Sequence, residues 1–170
     1  EPVSYVVGGL PRSVVTRVHE ACVKSRIPTT VMQLAPIALF NAFEFANPET
    51  FESQSFVLVD IGHSGSTVII GAKRELLLVR GLDFGGRTFV EELICHGASG
   101  YDEIIQQLAE EEVLTVENAR LSLTELVRSI SSSIGFVEAR RDESIPRVFF
   151  SGGLVKSPSI IKVLTEELQL

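Results

Sequence analysis

An α/β domain, with sheets covered by helices, is the fold that these 170 residues predict. Three observations point to it. Short apolar runs alternate with helix-period segments, so sheets covered by helices are expected. Three of the runs, Phe56–Ile61, Thr67–Gly71 and Leu76–Arg80, follow one another closely. Connections that short allow an antiparallel meander but not parallel crossovers, so a doubly wound parallel sheet is excluded. A fourth run, Arg147–Phe150, comes only after a long helical stretch and ends in Ser151-Gly152-Gly153.

Taken in order, Val3–Val7 reads as a short strand and Gly8-Gly9-Leu10-Pro11 as a turn that opens a helix. Val14, Val15, Val18, Ala21 and Cys22 recur at helical spacing, and Pro28 stops the pattern. Thr29–Leu34 reads as extended. Pro36 begins a helix through Ala46, with phenylalanines 40, 43 and 45 as its apolar face. Asn47–Ser55 is a polar connection and the best candidate boundary. After the meander come a loop at Gly81–Gly86 and a helix at Arg87–His96, followed by an amphipathic Tyr101–Glu111. Ile104, Ile105 and Leu108 lie on one side of that last segment. Val116–Arg140 is one long helical stretch, with a break expected near Ser131-Ser132-Ser133 and Gly135. Ser159–Leu168 is the last helix.

Composition narrows the function. An apolar fraction of 45% supports a packed core. A formal charge of -7 without a basic block argues against nucleic acid as a main partner. Cys22 and Cys95 lack ligand-like spacing, so no disulfide framework is expected and a reducing compartment is favoured. His19, His63 and His96 are scattered and form no metal triad. No run reaches the roughly 18 apolar residues of a membrane span. The chain opens with EPVSYVVGG, inside an apparent strand and without methionine, so an N-terminally truncated fragment is expected.

The chemistry concentrates in three glycine segments. In FVLVDIGHSGSTVII, Asp60 ends a strand that reads as buried. A carboxylate there needs hydrogen bonds or a cation, and Mg²⁺ suits a single carboxylate with waters and phosphates. Gly62 and Gly65 permit close backbone approach. Successive N–H groups can form an anion nest, with Ser64, Ser66 and Thr67 adding hydroxyls. A glycine- and serine-rich hairpin, with Asp60 capping its own loop, is the competing reading. In GLDFGG, Gly85 and Gly86 lead into a helix whose free N–H groups can point at an anion; a plain loop explains the same residues. In VFFSGGLVKSPSI, Gly152 and Gly153 would let the backbone pass under a flat group before a helix begins near Ser157; an ordinary strand-to-helix turn is the alternative.

Together these segments resemble the actin-like ATPase superfamily, which includes sugar kinases, heat-shock chaperones and actin. The resemblance is nearest the branch of the type IV pilus assembly protein PilM and the cell-division protein FtsA. VLVDIGHSGSTVIIGAKRELLLVRGLDFGG is similar to that branch's second phosphate segment, hairpin and GG-helix start. VFFSGGLVKSPSIIKVL is similar to its adenosine segment, LAPIALFNAF to its connecting helix, and residues 5–34 to its small inserted subdomain.

The resemblance implies an actin-like (ribonuclease H-like) ATPase domain with an incomplete first lobe. Residues 1–34 would be part of the inserted subdomain, 35–55 a connecting helix and linker, and 56–170 the second lobe. It implies ATP and Mg²⁺ as cofactors, with Asp60 on the metal. Gly62, Ser64, Gly65, Ser66, Thr67, Gly85 and Gly86 would meet the phosphates, and Gly152, Gly153 and Ser157 the adenosine. His63 departs from the pattern, where a small residue is usual, and the first phosphate hairpin is absent. No catalytic residue follows, and weak ATPase activity at most is expected. The implied role is a cytoplasmic scaffold of type IV pilus or secretion assembly. Its partner would be the short cytoplasmic N-terminal peptide of an inner-membrane protein of the PilN type, so membrane association is indirect. An FtsA-like division protein, a sugar- or acetate-kinase relative, and an interaction module that has lost its nucleotide are the alternatives.

Overall fold

The computed structural model describes residues 7–96, 100–109 and 116–169. They form two compact units, Glu1–Ala46 and Asn47–Leu170. In the first unit, α1 (Arg12–Lys24) starts after Pro11 and ends at Ser25; Arg26 then takes a positive φ of 57° that turns the chain out of the helix. The apolar stripe of α1 is present as expected, yet none of its residues is buried. In α2 (Ala35–Ala46), Phe40 and Phe43 are buried while Phe45 is 92% exposed. The three phenylalanines therefore do not share a face, because Phe45 lies about 200° around the helix from Phe43. Residues 3–6 of the expected first strand lie outside the described residues. Residues 29–34 belong to no strand among the described residues. No strand of the described residues pairs with that segment, and Pro28 and Pro36 bracket it.

In the second unit, the expected polar connection contains a short helix, α3 (Pro48–Ser53). Pro48 fixes its first turn and Phe51 anchors it, 2% exposed, with its ring 5.9 Å from that of Phe56. Then come β1 (Ser55–Ile61), β2 (Ser66–Ala72) and β3 (Glu75–Leu82), followed by the helices α4 (Gly86–Cys95), α5 (Tyr101–Ala109) and α6 (Val116–Arg141). The chain ends with β4 (Val148–Gly152), a single 3₁₀ turn (Leu154–Lys156) and α7 (Pro158–Glu167).

The sheet order is β3-β2-β1-β4. β1 pairs antiparallel with β2 and parallel with β4, so the sheet is mixed. The helical segment α4–α6 supplies the long crossover that a parallel pair needs. Val57, Val59 and Ile61 of β1 enter a core shared with Phe89 and Leu93 of α4, Leu126 and Ile130 of α6, and Ile160 and Leu164 of α7. The intervening Phe56 and Leu58 are also buried, on the other face. Cover on both faces explains why β1 is a continuous apolar run rather than an alternating one.

α6 runs unbroken for 26 residues, against the expected interruption. Ser133 is buried, and its hydroxyl donates to the Ser129 carbonyl (2.8 Å) while accepting from Arg80 Nη1 (3.2 Å). Ser133 thus packs towards β3 with its hydroxyl satisfied, Ser131 and Ser132 stay exposed, and the helix keeps its course.

Candidate functional site

β1 ends at Ile61 and β2 starts at Ser66, so the DIGHSGS segment spans the tip of a hairpin. The Gly62 N–H donates to the Gly65 carbonyl at 3.1 Å. A Cβ on Gly62 would lie 2.7 Å from Gly65 O, and one on Gly65 would lie 2.9 Å from Leu82 O. Backbone packed this closely excludes a side chain, which accounts for both glycines.

The start of α4 is fastened to this tip. The Gly86 N–H donates to Gly62 O (2.8 Å) and the Arg87 N–H to His63 O (2.9 Å). A Cβ on Gly85 would lie 2.6 Å from both Gly65 N and His63 O. Ser66, 5% exposed, donates its hydroxyl to Phe84 O at 2.6 Å. Two expectations change here. The N–H of Gly86 is not free for an anion, because a turn carbonyl takes it. The Ser66 hydroxyl does not face a ligand either, since it ties β2 to the loop before α4. Ser64 is exposed at the tip, and Gly65 and Thr67 are half-buried.

β4 brings the third glycine segment to the same end of the sheet. In the parallel register Gly152 sits beside Ile61 and Ser151 beside Asp60. Gly152 has a φ of 106°, and a Cβ there would collide with the Ile61 carbonyl oxygen. Gly153 has nothing within 4 Å of its Cβ position. Ser157, expected against adenosine, is buried immediately before α7.

A cavity of about 300 Å³ opens at this end. Gly62, Gly86 and Gly153, one from each segment, form its backbone surface. Ile61, Val90 and Leu154 supply apolar side chains beside them, and His63 stands at the turn. Tyr101, Ile105 and Leu108 of α5 complete the wall. The sequence reading missed these three as site residues, although the amphipathic pattern of Tyr101–Glu111 was the signal for them. No charged side chain of the described residues lines the cavity, so its surface suits a weakly polar group.

Not every expected residue joins that cavity. Side chains alternate along β1, so Asp60 points to the face opposite Ile61. Asp60 pairs in register with Thr67 and Ser151, and its Oδ1 accepts from Ser151 Oγ at 2.7 Å. The sheet end therefore holds an apolar cavity on one face and the Asp60–Thr67–Ser151 group on the other. Gly85, Gly152 and Ser157 shape this end without lining the cavity. Among the described residues, no group of three or more His, Cys, Asp or Glu is placed to hold a metal ion. Asp60, half-buried and in no ion pair among those residues, remains a single carboxylate. That donor set fits Mg²⁺ held chiefly by phosphate oxygens and water, and it does not fit a metal held by protein ligands alone.

No protein-family model matches the sequence, and no curated protein matches it. Solved structures do. The chain is similar to a chain of the PilM-PilN type IV pilus biogenesis complex, with a TM-score of 0.76 and 21% identity over 94% of this chain and 46% of that one. It is similar to the non-polymerisable quadruple mutant of pCBH ParM (TM-score 0.55, 12% identity, 82% of this chain and 47% of that one). An archaeal actin homolog is similar as well (TM-score 0.51, 17% identity, 76% of this chain and 45% of that one). The chain spans a little under half the length of each. These likenesses share an architecture, and the chain has the mixed α/β actin-like fold.

Proposed function

We propose that this chain is part of a cytoplasmic actin-like scaffold in type IV pilus or related secretion assembly. It holds ATP with Mg²⁺ at the glycine-lined end of the sheet and binds a short peptide of an inner-membrane partner of the PilN type. The observation that carries this reading is the meeting of Gly62, Gly86 and Gly153 on one cavity, although they are far apart in sequence. The likeness to a chain of the PilM-PilN complex, which follows nearly the whole of this chain, supports the partner. Adenosine would occupy the apolar cavity. The phosphates would reach around the hairpin tip at Ser64 towards Asp60 and Thr67, and Asp60 would hold Mg²⁺ through water. The bound metal would neutralise phosphate charge. No residue is proposed as a catalytic base, and hydrolysis is at most weak. Among the described residues no helix is long and apolar enough to cross a membrane. Membrane association in this proposal runs through the partner.

Calorimetry of Mg-ATP with the complete gene product tests the nucleotide. Saturable binding is expected, weakened by about tenfold or more in Gly153→Val, which fills the cavity. The chain by itself is expected to bind weakly or not at all, and micromolar affinity in it would sink that part of the proposal. One observation favours a second reading, an interaction module of the same fold without nucleotide: turn carbonyls occupy the leading N–H groups of α4. Unchanged melting on adding Mg-ATP, with peptide binding intact, would select that reading.

A further inference from the structure

On the side away from β4, the sheet of the described residues ends at β3. Along that edge Leu76, Leu77, Leu78 and Val79 are half-buried, so the strand is apolar for most of its length. An open edge of this kind offers unpaired backbone groups to another strand.

The charges on the edge are self-complementary. Leu78 pairs with Ile70, but Leu76 pairs with Gly71, so a bulge at Leu77 shifts the strand by one residue. Glu75 and Arg80 are five apart and would otherwise face opposite ways. The bulge brings both onto the face that α6 covers. Their contacts agree: Arg80 Nη1 donates to Ser133 Oγ (3.2 Å), and Arg141 Nη1 lies 3.4 Å from Glu75 Oε2. One turn beyond Ser133, Phe136 is 53% exposed, with the Arg140 guanidinium 5.5 Å from its ring centroid. A large aromatic residue thus stands uncovered on the part of α6 that packs on the edge strand.

We propose that this edge is the seam of a homodimer, in which β3 of one copy pairs antiparallel with β3 of a second copy. The two-fold axis passes between Leu77 and Leu78. That register sets Leu76 against Val79 of the second copy and Leu77 against Leu78. Each Glu75 then lies opposite an Arg80, twice by symmetry, as an isologous interface requires. Moving the axis to Arg80 would instead oppose two guanidinium groups, which disfavours that register. A strand pair by itself is small beside the roughly 1,200–2,000 Å² that stable interfaces bury. The two α6 helices, on the same face of the joined sheets, add Phe136 and Arg140 near the axis. A copy of this chain meets both the apolar run and the charge order without further assumption.

Sedimentation equilibrium of the chain across the micromolar range tests the seam. A reversible dimer is expected. Arg80→Glu should raise its dissociation constant by about tenfold or more, since it opposes two acids at each end of the seam. Glu75→Arg should do the same while keeping Arg80 and its bond to Ser133. The double variant Glu75→Arg/Arg80→Glu should return to within about threefold of the parent. Phe136→Ser should weaken the dimer without touching β3. Melting curves of each variant separate lost association from lost folding. A chain that stays monomeric throughout overturns the proposal, and so does a dimer indifferent to the single charge reversals.

Discussion

The connection from β3 to α4 and the connection from β4 to α7 each carry two glycines in a row, and the two members of each pair differ in the same way. Gly85 and Gly152 are enclosed by backbone from the hairpin or from β1, with no room for a methyl group. Gly86 meets only ordinary contacts at 3.8 Å and beyond, and Gly153 meets nothing within 4 Å; both line the cavity. The first glycine of each pair is therefore required by the fold, and the second keeps the cavity open. A glycine pair in sequence is thus two separate constraints, which substitution can pull apart.

The largest expected effect is at Gly152. Alanine there would combine a left-handed φ with a collision against the Ile61 carbonyl, and should cost about 4 kcal/mol, read as a large drop in melting temperature. Gly85→Ala comes next. Its φ of -151° suits any residue, so the cost is steric alone, about 3 kcal/mol in urea denaturation. A Gly85→Ala protein as stable as its parent would mean that the hairpin and α4 are not held as described. Ser66→Ala removes the buried donor to Phe84 O and should cost about 1–2 kcal/mol. The smallest effects are at Gly86 and Gly153. Gly153 sits at φ -68°, ψ -38°, and Gly86 opens a helix, so alanine at either should leave stability unchanged or raise it by at most about 1 kcal/mol. A marked loss of stability in either would erase the distinction within the pairs.

The sequence carried the glycine segments and the meander because both are local. Short connections force antiparallel neighbours, and glycine clusters mark tight backbone whatever the partner. The depth of β1 was also readable, since a continuous apolar run fits a strand covered on two faces. What escaped depends on contacts made at a distance. Phe51, which anchors α3 in the polar connection, packs its ring against that of Phe56. Ser133, at the end of a serine run in α6, has its hydroxyl satisfied by Ser129 and Arg80. Tyr101, Ile105 and Leu108 form a cavity wall only once α5 lies beside three glycines from other segments. Asp60 and Ile61 are adjacent, yet strand alternation sends the carboxylate to the face away from the cavity that Ile61 lines. Residue types do not reveal that separation until the register is known.

The fastening of α4 to the hairpin tip has a consequence for measurement. The amide protons of Gly86 and Arg87 are held by the carbonyls of Gly62 and His63, so their exchange with solvent deuterium reports on the tip rather than on the helix. Any occupant that tightens or loosens the turn should change the lifetimes of these two protons before it alters the rest of α4. Two neighbouring backbone positions thus act as a built-in gauge of the hairpin, readable without a label.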